Sequence, residues 1–124
     1  MKKAAPLVAL CALVLSGCAA QDARADAMAA AGRFLDAVAR SDTRTACALL
    51  TPRTREELGR PCARSLPTDG LGGRIESAET WSDQAAVRTG AGTLFLTEFD
   101  AGWLVSAAGC EPNGDAPYRC VLGG

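Results

Sequence analysis

The sequence predicts an α+β fold, with N-terminal helices packed on a curved antiparallel sheet of about four strands. Two observations carry that prediction. Apolar residues recur at helical spacing between residues 26 and 66, and apolar and polar residues alternate with period two from residue 74 onward. Between them, residues 69–73 hold three glycines and no apolar cluster, which marks a loop between a helical half and a strand-rich half.

Met28, Ala31, Leu35 and Val38, with Phe34 beside them, form one face of a first helix beginning near Asp26, while Arg33, Asp36 and Arg40 fall away from that line. The break at Ser41-Asp42-Thr43 offers a fresh N-cap for a second helix carrying Ala46, Cys47, Leu49 and Leu50. Thr51 caps a third, because Pro52 then occupies the first helical position, where a missing N–H costs nothing, and Gly59 ends it. Pro61 and Pro67 bracket one further helical turn at residues 62–66. In the second half, residues 74–79 and 80–89 alternate weakly, with Ile75, Trp81 and Val87 as core candidates. Gly90-Ala91-Gly92 marks a turn; residues 93–99 and 103–108 form the clearest strands, joined through Asp100-Ala101-Gly102. Phe95, Thr97 and Phe99 share one face, and Leu94 and Leu96 the other. Residues 111–117 read as a loop and residues 118–122 as a last strand.

The N-terminus is of a different kind. Lys2 and Lys3 precede an apolar run from Ala4 to Leu15, the charged and hydrophobic regions of a secretory signal. Leu15-Ser16-Gly17-Cys18 follows and resembles the lipobox of bacterial lipoproteins. That resemblance implies cleavage after Gly17, a thioether-linked diacylglycerol on Cys18, and often a third acyl chain such as palmitate on the new amino terminus. Ala23-Arg24-Ala25 offers a competing cleavage site that would release a soluble protein. The apolar run is short against the roughly 20 residues of a spanning helix. At about 0.8 kcal/mol per buried methylene, two or three chains hold a protein on a membrane without protein contacts. The expected organisation is a signal peptide over residues 1–17, a small and polar tether over 18–25, and one domain over 26–124, on the extracytoplasmic side of the cell membrane.

Cleavage leaves one modest domain, sufficient for a single core. Both lysines leave with the signal, so 11 arginines face 14 acidic residues, for a net charge of 11 minus 14, or −3. With the arginines dispersed from Arg24 to Arg119, nucleic acid is not an expected partner. Histidine is absent, which removes the commonest general base and metal ligand near neutral pH. Cys11 goes with the signal and Cys18 takes lipid, leaving Cys47, Cys62, Cys110 and Cys120. Outside the cytoplasm an even number reads as two disulfides. Three connectivities are possible; closure of short loops favours Cys47 with Cys62 and Cys110 with Cys120. Zinc needs closely spaced thiolates, which this spacing does not supply, so no metal or cofactor is expected.

The order of features is similar to the cone-shaped fold of the nuclear transport factor 2-like superfamily, and to lipobox-bearing members whose activity is unassigned. The residues carrying the resemblance are Phe34-Leu35-Asp36-Ala37-Val38, Ala46-Cys47-Ala48-Leu49-Leu50, Cys62-Ala63-Arg64, Gly102-Trp103-Leu104-Val105, Ala108-Gly109-Cys110 and Tyr118-Arg119-Cys120. The first of three functional readings is a non-catalytic, membrane-tethered domain that takes a small apolar ligand or an envelope protein. The superfamily also contains isomerases and cyclases that use acidic residues in an apolar cone, which would make Asp36, Glu76, Glu98 and Asp100 the carboxylates to consider. A structural or assembly role is the third reading. Phe34, Trp81, Phe95, Phe99 and Trp103 are the candidate pocket residues, with a ligand expected between the first helix and the sheet face bearing Phe95 and Phe99.

Overall fold

The computed structural model describes the backbone of residues 5–124 and the side chains from residue 19 on. Lys2 and Lys3 of the predicted leader lie outside the described residues, as does the side chain of Cys18. Four helices precede the sheet: α1 (Ala5–Ala39), α2 (Thr43–Ala48), α3 (Pro52–Leu58) and α4 (Cys62–Ser65). The sheet contains β1 (Ile75–Trp81), β2 (Gln84–Thr89), β3 (Gly92–Phe99), β4 (Gly102–Asn113), β5 (Ala116–Arg119) and β6 (Leu122–Gly123).

The first helix does not start at Asp26. Residues 19–25, expected as a tether, continue α1, and Ala23 already packs half-buried against the core. Their lack of apolar periodicity hides a different signal: alanine is the strongest helix former, and no glycine or proline interrupts the run. The buried stripe consists of Ala27, Ala30, Ala31, Phe34, Ala37 and Val38, with Met28 and Leu35 only half-buried at its margin. Mostly alanine, that stripe lets α1 lie close against β1, β2 and β4, with Phe34 as the one large side chain.

The short helices α2 and α3 are each fixed by a side-chain cap. Asp42 Oδ1 accepts from the Thr45 N–H at 3.3 Å to start α2. Thr51 starts α3 in extended conformation with Pro52 next, and its Oγ1 accepts from the Thr54 N–H at 3.2 Å. Gly59, at φ 82°, ends it. Cys47–Cys62 ties α2 to α4, and Cys110–Cys120 joins β4 to the residue after β5, so both disulfides pair locally.

The sheet has six strands rather than about four, in the antiparallel meander β1-β2-β3-β4-β5, with β6 also on β4. Two hairpins account for the difference. Trp81 pairs with Gln84 across Ser82-Asp83, where Ser82 adopts φ 53°, dividing residues 75–89 into β1 and β2. Asn113 pairs with Ala116 across Gly114-Asp115, so the expected loop at 111–117 is instead the end of β4, a tight turn and the start of β5. The expected strand at 118–122 breaks at Cys120-Val121, and Leu122 is buried on β4.

Pairing of directly opposed residues sets two faces. Ala78, Ala85, Val87, Leu94, Leu96, Trp103 and Val105 face α1 and form the core with Leu50, Leu66, Ala108 and Leu122. The other face carries Trp81, Gln84, Thr97 and Leu104 in one cross-strand row, and Glu79, Ala86, Phe95 and Ala107 in the next. Strand β4 holds an extra residue at Ser106 between the Leu96–Val105 and Phe95–Ala107 pairs, a bulge that bends it. Its second edge is occupied from Val105 onward. Leu50 forms a parallel bridge to Val105, with Thr51 N–H donating to the Val105 carbonyl at 2.9 Å and Val105 N–H to the Leu49 carbonyl at 2.8 Å. Then β6 pairs at Ala107 and Ala108, and β5 at Glu111 and Asn113.

Candidate functional site

The sheet face turned away from α1 forms the floor of a groove of about 560 Å³. Gln84 of β2 and Phe95, Thr97 and Phe99 of β3 make the floor. One wall is α3 with its cap, through Thr51, Arg53, Thr54 and Glu57, and the end is closed by Ser106, Ala107 and Gly124. The volume lies in the range of small-molecule sites, generally about 300–1,000 Å³.

A chain of hydroxyls holds the wall to the floor. Thr51 Oγ1 donates to Thr54 Oγ1 at 2.9 Å, Thr54 Oγ1 to the Ser106 carbonyl at 2.8 Å, and Ser106 Oγ to the Phe95 carbonyl at 3.0 Å. Thr51 and Thr54 are buried, so the small capped helix is anchored through the bulged residue of β4. At the groove's end, a Cβ on Gly123 (φ 71°) would collide with the Ser106 carbonyl, so glycine is required for β6 to close there. On the floor, Thr97 Oγ1 donates to Gln84 Oε1 at 3.2 Å and Gln84 Nε2 to Asp83 Oδ1 at 3.3 Å.

Charges on this face cancel locally. Arg53 Nε meets Glu57 Oε1 at 3.2 Å on the wall, and Arg88 meets Glu79 at 2.7 Å across β1 and β2. The hydrogen bond to Glu79, with its charge, raises the Arg88 pKa above its ordinary value. Such exposed pairs contribute at most about 1 kcal/mol and rearrange readily for a ligand.

The five candidate pocket residues do not form one site. Phe34 and Trp103 are core residues on the α1 side of the sheet, and Trp103 Nε1 is buried without a hydrogen-bond partner. Phe95 and Phe99 line the groove on the opposite side. Trp81 shares that outer face next to Gln84, beyond the groove, and is half exposed. The wedge expected between α1 and the Phe95–Phe99 face therefore does not form, because α1 covers the leucine face. Residues missed in the sequence are those of α3, whose position depends on the Leu50–Val105 bridge 55 residues apart. Tyr118 was also unanticipated here; its ring meets Phe95 edge-on at 5.3 Å.

Asp36, Glu76, Glu98 and Asp100 are all solvent-exposed. Among the described residues, no group of three or more His, Cys, Asp or Glu side chains is placed to hold a metal ion, and no helix is long and apolar enough to cross a membrane. No family model, no curated protein and no solved structure matches the chain.

Proposed function

We propose that the chain is a cell-envelope lipoprotein, anchored through lipid on Cys18 at the extracytoplasmic face of the cell membrane, whose domain binds a ligand or partner without chemical turnover. Support for the anchor comes from Leu15-Ser16-Gly17-Cys18 behind a basic and apolar leader. The two disulfides fit an oxidising compartment. Support for binding comes from the groove, whose aromatic floor and hydroxyl-bearing wall combine apolar area with a few placed polar groups.

A ligand-binding role is favoured over cone-fold isomerase or cyclase chemistry by one observation. A general base of that type needs burial among apolar neighbours, and Asp36, Glu76, Glu98 and Asp100 are exposed, while Glu57 at the groove is half exposed and paired with Arg53.

Cys18→Ala tests the anchor. The expected result is loss of acyl labelling and release from the detergent-extractable membrane fraction; a variant that keeps both would overturn the lipoprotein reading.

A further inference from the structure

We propose that the outer sheet face, from the groove to Trp81, binds a neutral glycan strand. The inference deepens the binding role proposed above and rests on it. Trp81 and Phe99 are 50% and 42% exposed on the face turned away from α1, which α3 borders as the groove wall, and Phe95, met edge-on by Tyr118, lies two residues from Thr97 on the other side from Phe99. At about 3.3 Å per residue, Phe95 and Phe99 stand roughly 13 Å apart along β3. Trp81 lies in the Thr97 row, displaced across β2. Aromatic rings on one side of a sheet thus alternate with the Thr97 hydroxyl and the Gln84 amide.

That alternation selects the ligand. A purely apolar ligand would leave the Thr97–Gln84 pair and the Arg53–Glu57 pair desolvated without replacement partners, which is costly. A polyanion such as nucleic acid or an anionic lipid surface needs unbalanced positive charge, whereas Arg53 and Arg88 are each neutralised by a carboxylate. A sugar ring presents an apolar C–H face and a rim of hydroxyls. The face can stack on Phe99 and Trp81, and the rim can meet the Gln84 amide, the Thr97 hydroxyl and the Arg53–Glu57 pair, each able to donate and accept. Because Trp81 extends the surface beyond the groove, more than one ring is accommodated.

The experiment uses the full-length, lipid-modified protein in detergent micelles. The probes are hexameric β-1,4-linked glucose and N-acetylglucosamine oligomers, α-linked dextran, and phosphatidylglycerol vesicles, followed by calorimetry and by acrylamide quenching of tryptophan emission. Trp103 is buried, so quenching reports on Trp81. Saturable binding of a β-linked oligomer that shields Trp81, weakened about fivefold by Phe99→Ala and by Trp81→Ala in calorimetry, is expected; Asp36→Asn on the far side of α1 leaves it unchanged. Binding of no glycan, binding indifferent to both aromatic changes, Phe99-dependent vesicle binding without glycan binding, or shielding of Trp81 by self-association as read by molecular mass would each overturn the proposal. Repeating the titration with Cys18→Ala separates the two readings, since glycan binding that survives loss of the anchor depends on the face alone, and an anchored protein that binds an apolar probe but no glycan retains only the broader role.

Discussion

Thr54 and Ser106 are joined by a 2.8 Å hydrogen bond from a buried hydroxyl to a bulged carbonyl, and this contact attaches α3 to the sheet 52 residues further along the chain. Thr54 Oγ1 also accepts from Thr51, so one side chain completes both the helix cap and the groove wall. Thr54→Val, which keeps the shape and removes the hydroxyl, is expected to lower stability by about 1–3 kcal/mol in urea unfolding, because the Ser106 carbonyl loses its partner. Thr54→Ser is expected to recover most of that loss.

Phe34 and Trp81 should respond very differently to truncation. Phe34 is fully buried beneath α1, and Phe34→Ala is expected to cost about 3–5 kcal/mol. Trp81 is half exposed, so Trp81→Ala should stay within about 0.5 kcal/mol in the same assay. A large loss at Trp81 would mean that it packs in the core.

Asp42 provides a pH signature. The hydrogen bonds from Thr45 hold its carboxyl below the ordinary value of 3.8, with smaller help from the charges of Arg40 and Arg44. The charged form is favoured by folding, so the contribution is complete above the unfolded pKa and disappears as pH falls through the folded one. The stability difference between the wild type and Asp42→Ala should therefore be present at about pH 6 and shrink toward about pH 2, read as denaturant midpoints. A difference independent of pH would assign the effect to helix propensity.

Removing Cys47–Cys62 by a Cys47→Ser, Cys62→Ser double change is expected to cost about 3 kcal/mol on the loop-entropy model. The shorter Cys110–Cys120 closure should cost about 0.4 kcal/mol less. Unfolding with and without reductant, beside non-reducing peptide mapping, checks both values and the pairing.

The short helices α2 and α3 were legible because caps and prolines act locally: Asp42, Thr51, Pro52 and Gly59 all stand where the structure uses them, whereas the start of α1, with no such marker, was not. The pairing of the cysteines was legible for the same reason. Two turns were not. Ser82-Asp83 lacks the glycine that announces a hairpin, and Ser82 takes a positive φ because the strands on either side demand it. The alternation along β3 correctly divided Phe95 and Phe99 from Leu94 and Leu96, but alternation cannot say which side a helix will cover. The alanine-lined face of α1 lies on the leucines, leaving the larger aromatic rings outside. The groove wall was hidden for a further reason, since α3 reaches it through tertiary hydrogen bonds that no local pattern encodes.

The loop at residues 69–73 separates two sets of covalent bonds. Cys47–Cys62 lies wholly before it and Cys110–Cys120 wholly after, so among the described residues no crosslink spans it. The Leu50–Val105 bridge, the Thr54–Ser106 bond and the packing of α1 on the sheet all cross it without covalent linkage. A protease nick among those glycines would therefore convert the molecule into a two-piece complementation pair, whose melting temperature depends on dilution and whose halves could be exchanged between differently labelled copies.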